Sequence, residues 1–351
     1  MLDVEERPIA DRLEGIPTPS ESMELLGHGS QLDKLAESYR AGRLHHAWLI
    51  SGPRGVGKAT LAFHIARYIL ANPDNLLAHE STSAELWSKN VTRQVAQASQ
   101  PDLLHLTRPW DEKTKKFKTQ LSIDEIRKTQ NFYGMTAGSN GWRITIVDAA
   151  DDMNASAANA LLKVLEEPPK RSIFLVLTHS AGRLLPTIRS RCQLLPLKPL
   201  AEDVVAAKLS SLGLGLADNE LNEISKLSEG SIRRAIVLAQ GDVLSEYRLF
   251  LKLMDGHAKG SASDWVSVHQ IADAVSRRGK EDAYTLFVDL MISWVGKQAR
   301  KRAELPSAML AGWSEVWEKA NHSTRLADAF NLDKKQVILS LFGNLFAENG
   351  R

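Results

Sequence analysis

Residues Gly52-Pro53-Arg54-Gly55-Val56-Gly57-Lys58-Ala59-Thr60 are the part of this sequence best suited to chemistry. Glycines let successive backbone N–H groups turn inward around an anion, a lysine neutralises phosphate charge, and a helix starting there adds its positive dipole end. Gly52, Gly55, Gly57 and Lys58 therefore read as a phosphate-binding loop. The plainer alternative is a tight strand-to-helix turn with an exposed lysine, and the three spaced glycines speak against it. In an intact loop of this kind the residue after the lysine carries a hydroxyl that ligates Mg²⁺. Here that residue is Ala59. Thr60 follows one position late, about 100° further round the helix. Nucleotide binding stays open, but the metal loses a ligand.

A second candidate lies at Arg143-Ile144-Thr145-Ile146-Val147-Asp148. An apolar strand ending in aspartate suits the same metal, and a glutamate should follow to polarise the attacking water. The next residue is Ala149. Loss of a positioned acid or base typically costs ~10²–10⁴-fold in rate. Asp151 and Asp152 read as a helix cap or a solvated turn. Two independent lesions argue against hydrolysis by this chain.

These residues need elements to position them. His46 to Ser51 reads as a buried strand, with Lys58 to Leu70 as an alanine- and leucine-rich helix. Helical spacing also covers Gln31 to Arg40, Ala84 to Ala98, Ile123 to Gly134 and Ala155 to Leu165. Further short apolar strands are expected at Leu103–Leu106, Arg143–Val147, Ile173–Leu177 and Leu194–Leu197, with a basic hairpin or loop after Trp110. Strands alternating with helices imply a parallel sheet covered on both faces. After Pro199 no strand pattern returns. Ala201 to Gly241 reads as three short helices divided by Gly213, Gly215 and Gly230. The stretch around Asp255 to Ser263 should be a weak, polar break. The remainder reads as a helical bundle anchored by Trp294, Trp313, Trp317 and Phe330. The polar first ~25 residues, with Pro17 and Pro19, read as a loosely ordered arm.

Composition sets limits. Apolar residues make up 43% and charged residues 25% of 351, which is ordinary for a globular chain of two or three domains. One cysteine, Cys192, excludes a disulfide framework or a four-cysteine zinc module, and no zinc or other metal site is expected. A reducing cytoplasm fits. No apolar run reaches the ~20 residues of a membrane helix. A net charge of +2 does not by itself mark a nucleic-acid binder.

Longer strings carry a resemblance. Asp151-Asp152-Met153-Asn154, then Ala158-Asn159-Ala160-Leu161-Leu162-Lys163-Val164-Leu165-Glu166-Glu167-Pro168-Pro169, resembles the stretch after the second strand in bacterial DNA polymerase III clamp-loader subunits, which are AAA+ proteins. Ser190-Arg191-Cys192, preceded by Leu185-Pro186-Thr187-Ile188, resembles that family's Ser-Arg-Cys motif. Tyr39-Arg40-Ala41-Gly42-Arg43-Leu44-His45-His46-Ala47 and Pro101-Asp102-Leu103 resemble its delta-prime branch. The likeness runs roughly from Gln31 to Gly241 and continues more weakly to the end.

The resemblance implies an α/β plus all-α protein. A RecA-like AAA+ parallel-sheet domain would span 26–198 after an arm at 1–25, with a small helical lid at 199–245 and a C-terminal helical collar at 246–351. Arg191 would act in trans as an arginine finger on a neighbouring subunit's ATP, a role worth ~10³–10⁵ in rate; a surface arginine at a strand end is the alternative. Asp148, Thr178 (the sensor 1 position) and Arg233 (sensor 2, in Gly230-Ser231-Ile232-Arg233) would join Gly52, Gly55, Gly57, Lys58 and Thr60 around a degenerate nucleotide site holding ATP or ADP. The implied partners are tau/gamma and delta subunits in a hetero-pentamer, the sliding clamp, and primed DNA through the assembly. Such a chain belongs to the DNA-directed DNA polymerase holoenzyme without polymerase activity of its own. A self-sufficient AAA+ motor of the tau/gamma type is the alternative, and Ala59 and Ala149 count against it. Lys113, Lys115, Lys116 and Lys118 could touch DNA phosphates or form a solvated loop, while Arg127 and Lys128 could face a DNA channel.

Overall fold

A computed structural model describes residues 9–349 apart from 76–77, 79–80, 85–86, 135–140, 278, 302–306 and 331. The chain forms two compact units, Met1–Val204 and Val205–Arg351.

The first unit is built on a five-stranded parallel sheet in the order β2-β5-β6-β1-β7. Its strands are β1 (Ala47–Ser51), β2 (Leu103–Leu106), β5 (Arg143–Val147), β6 (Ser172–Thr178) and β7 (Gln193–Pro196); β3 (Trp110–Asp111) and β4 (Lys116–Phe117) make a separate hairpin. Strand side chains alternate between two faces, so each strand can feed two cores. Trp48 and Ile50, Ile144 and Ile146, and Ile173, Leu175 and Leu177 pack on one face, against α1 (Gly29–Arg40) and α2 (Lys58–Ala71). Ala47 and Leu49, Val147, and Phe174 and Val176 pack on the other, against α4 (Ile123–Gly134) and α5 (Ala155–Glu166). Each large side chain buried this way contributes roughly 1.5–3 kcal/mol. The buried Thr145 hydroxyl pairs with Tyr133 Oη at 2.8 Å, so this buried polar side chain of β5 is satisfied.

Because the strands are parallel, their C-terminal ends share one edge. The register pairs Ser51 with Thr178 and Val147 with Val176. The loop after β1, Asp148 after β5 and Thr178 at the end of β6 therefore meet. This is the RecA-like AAA+ arrangement that the resemblance implied.

Two expectations here need correction. Of the helix expected over Ala84–Ala98, the described residues form α3, Lys89–Ala96. The described part of the N-terminal arm is not loose: Thr18 is buried, and the fully buried Arg67 of α2 donates to the carbonyls of Ser20 and Ser22.

In the second unit every described element is a helix. Three short ones, α7 (Glu202–Ser211, which begins in the first unit), α8 (Asp218–Leu227) and α9 (Ile232–Gln240), precede α10 (Val243–Ala258), α11 (Trp265–Val275), α12 (Glu281–Lys301), α13 (Ser307–Phe330) and α14 (Lys334–Asn349). The remaining short helix, α6 (Pro186–Arg189), belongs to the first unit. Phe250 is a hub, with ring centres 5.3 Å from Trp294, 5.7 Å from Phe342 and 6.3 Å from Phe287. Trp313 is 2% exposed and packs on Trp294, but Trp317 is 44% exposed and is no core anchor. Phe330's side chain lies outside the described residues. The expected break begins late, since α10 runs through Gly256 to Ala258.

Candidate functional site

Gly52 leaves β1 where no side chain fits, since a Cβ there would stand 2.7 Å from the Leu197 carbonyl oxygen. Gly57 caps α2 at φ +103°, a left-handed conformation that glycine adopts without steric cost. The buried His28 steadies the turn, its Nε2 donating to the Val56 carbonyl at 2.9 Å; burial pulls its pKa below the usual range.

Lys58 turns back into the loop. Its Nζ donates to the carbonyls of Gly52 and Pro53, both at 2.8 Å, and the residue is 6% exposed. Burial draws its pKa down to about 8; Asp148 and Asp151 pull the other way, and Arg54 adds to the fall. Glycines, lysine and helix terminus fit a phosphate group. The Mg²⁺ that accompanies nucleotide in an intact site is less well served. Ala59 has no donor atom and packs towards the core, while Asp148 lies 3.7 Å from His105 Nε2. The described residues bring together no three His, Cys, Asp or Glu side chains suited to a metal.

The largest departure from the sequence reading is Asp151. It is neither a helix cap nor a solvated turn. One carboxylate oxygen accepts from Thr178 Oγ1 at 2.9 Å and the Ser180 N–H at 3.2 Å, and the other from the His179 N–H at 2.6 Å. Thr178 is fully buried, and its hydroxyl hydrogen is committed to this carboxylate. The cap of α5 is instead Asn154, which accepts from the Ala157 N–H. Asp152 lies 3.4 Å from Arg108; burial lifts its pKa, against the pull of that arginine. Thr60 sits half-buried on α2, with its carbonyl bonded by His64 Nδ1 at 2.8 Å.

Arg191 lies at the other end of β6's connection to β7, just past α6. Its Nη2 is 2.7 Å from Glu166 Oε1 at the end of α5, and its Nη1 donates to the Thr187 carbonyl at 3.0 Å. The guanidinium is thereby oriented while 35% of the side chain stays exposed. Next to it, burial pushes the Cys192 thiol up to about 11, which makes it unreactive at neutral pH.

In the second unit Arg233 donates to Asp282 at 2.7 Å, and Arg234 pairs with Glu229 at 3.0 Å. The β3–β4 hairpin is held by Trp110 against Phe117 and by Asp111, which accepts from the N–H groups of Lys113 and Thr114. Arg127 and Lys128 pair with Asp124 and Glu125 on their own helix.

A family model described as DNA polymerase III, delta subunit, matches residues 27–201. The DNA polymerase III subunit delta' of Escherichia coli K12 is 35% identical over 60% of this chain and 59% of its own length. That of Bacillus subtilis 168 is 32% identical over 60% of this chain and 63% of its own. The tau/gamma subunit of Haemophilus influenzae is 28% identical over 63% of this chain and 30% of its own. The chain thus spans about three fifths of the length of the delta' relatives it matches. A solved DNA polymerase III gamma subunit-related protein from Thermotoga maritima aligns with a TM-score of 0.43 at 18% identity, over 91% of this chain and 99% of that one. On the family match and the higher identity to delta' than to tau/gamma subunits, residues 27–201 belong to the delta-prime family of DNA polymerase III clamp-loader subunits.

Proposed function

We propose that this chain is a clamp-loader subunit of DNA replication that hydrolyses little or no ATP itself and supplies Arg191 as an arginine finger to a neighbouring subunit's ATP. Tau/gamma and delta subunits would be its partners in a hetero-pentamer that opens a sliding clamp and closes it on primed DNA. Residues 199–245 would serve as the lid and 246–351 as the collar that holds the ring together. The loop at Gly52–Lys58 would bind ATP or ADP as a structural ligand at most, with Arg233 in a structural role through Asp282. The chain would work in the cytoplasm; no described helix is long and apolar enough to cross a membrane.

The observation that carries this reading is a contrast within the first unit. Ala59 and Ala149 stand where a hydroxyl and a carboxylate would be needed, whereas Arg191 keeps an exposed guanidinium fixed by Glu166 and the Thr187 carbonyl. A guanidinium held in advance costs little reorganisation when it meets transferring phosphate, which is why such a group is worth so much in rate. The test is reconstitution of the loader with Arg191→Ala. The ATP site it faces should lose ~10³-fold or more in hydrolysis, seen as a fall in DNA- and clamp-stimulated ATPase with assembly intact. Unchanged stimulated ATPase in an intact complex would sink the assignment.

A further inference from the structure

The described N-terminal segment carries a carboxylate to the phosphate-binding loop. Asp11 Oδ1 lies 2.9 Å from Arg54 Nη2, inside the loop, and 3.1 Å from Arg108 Nη2, beyond β2. One oxygen thus bridges two guanidinium groups from separate elements. The segment is tethered a few residues later. Thr18 is buried, and both its N–H and its hydroxyl donate to Glu21, at 2.7 and 2.8 Å. Arg67 grips the carbonyls of Ser20 and Ser22 and lies 5.8 Å from the centre of the Trp87 ring. Other titratable groups nearby include Asp152, 3.4 Å from Arg108 Nε, Lys58, which feels Arg54, Asp148 and Asp151, and His179, which feels the same groups.

Two guanidinium groups, each with one nitrogen on the same carboxylate oxygen beside a phosphate-binding loop, form an arrangement that suits an anion, because guanidinium N–H groups bond phosphate and carboxylate oxygens alike. We propose that Arg54 and Arg108 form a polyphosphate-binding site at the mouth of the loop, and that Asp11 fills it in cis, so that the N-terminal segment competes with the phosphates of a nucleotide. This rests on the reading of Gly52–Lys58 as a phosphate-binding loop. It adds a reason for weak nucleotide binding that Ala59 does not supply: a resident anion must leave first.

The test uses the full chain. A fluorescent ATP analogue is titrated into wild type, Asp11→Ala, Asp11→Asn and the double variant Asp11→Ala with Arg108→Ala, and inorganic tripolyphosphate is run as competitor. Both single variants should bind about three- to tenfold tighter than wild type, the range expected when weak surface ion pairs stop taxing the competent state. The gain should vanish in the double variant, and tripolyphosphate should displace the analogue. Equal affinity in wild type and both Asp11 variants overturns the proposal, as does no binding by any of them at millimolar nucleotide. A gain that survives loss of Arg108 overturns it too. Lys58→Ala in the Asp11→Ala background separates the two readings. If affinity depends on Lys58 but not on Asp11, the loop binds phosphate and the competing segment is wrong; if Lys58 is irrelevant, the loop reading itself fails.

Discussion

The loop end of β1 and the Arg191 corner after β6 both carry polar groups, and they differ in where those groups point. At the loop, polar groups satisfy one another. Lys58 is spent on the carbonyls of Gly52 and Pro53, and Thr178 on Asp151. At the corner, Arg191 is oriented by Glu166 and Thr187 but left over a third exposed. A buried polar group without a partner costs ~1–3 kcal/mol. Closing these hydrogen bonds internally stabilises the loop end. A site that acts on another chain, as proposed for Arg191, must keep a donor facing outward.

The largest expected effect is the loss of stimulated ATPase in Arg191→Ala, described above. Next comes Asp151→Ala, which probes the closed side. It strips an ionic acceptor from Thr178 and two backbone N–H groups, so stability should fall by about 2–4 kcal/mol in chemical denaturation. Once assembled at low temperature, the complex should keep its stimulated ATPase. A large ATPase loss without destabilisation would mean that Asp151 does chemistry rather than architecture, and the contrast between the two regions would collapse.

A third experiment reads the closed side through pH. Lys58 titrates near 8 in the folded chain and near the ordinary ~10.4 when unfolded. Between those values the unfolded chain holds more protons, so this lysine's contribution to stability rises with pH. Urea midpoints of wild type and Lys58→Met, compared at pH 7.5 and 9.5, should therefore shift by about 1–2 kcal/mol in favour of wild type at the higher pH. A pH-independent difference would show that the ammonium is not confined by the loop.

The sheet was legible because local signals agree: continuous apolar runs at His46–Ser51 and Ile173–Leu177, then glycines where the backbone must turn. The role of Asp151 was not. Its three donors come from residues 178–180, nearly thirty positions later, and no local pattern encodes that distance. The anchored arm was missed for a different reason. Pro17 and Pro19 look like disorder by composition, yet Arg67 lies in the run Leu61–Ala71, which is apolar apart from it, His64 and the Tyr68 hydroxyl, and a buried arginine must find acceptors somewhere. That was a usable signal. Trp317 misled because an aromatic at helical spacing has no address of its own, and its neighbours decide which face is buried.

The smallest effect sharpens the contrast most, because it separates a finger from a surface arginine. Glu166 and Arg191 are both well exposed, and such pairs contribute only ~0.2–1 kcal/mol to stability. Glu166→Gln should leave the denaturation midpoint almost unmoved. If the carboxylate only decorates the surface, nothing else changes either. If it aims the guanidinium, the reconstituted complex should lose roughly three- to tenfold in kcat, with KM for ATP nearly constant, because an interaction made in the transition state weakens while ground-state binding does not. Glu166→Asp, which keeps the charge one methylene short, should recover part of that loss. A shift in KM alone would point to altered subunit packing and would remove Glu166 from the positioning of Arg191.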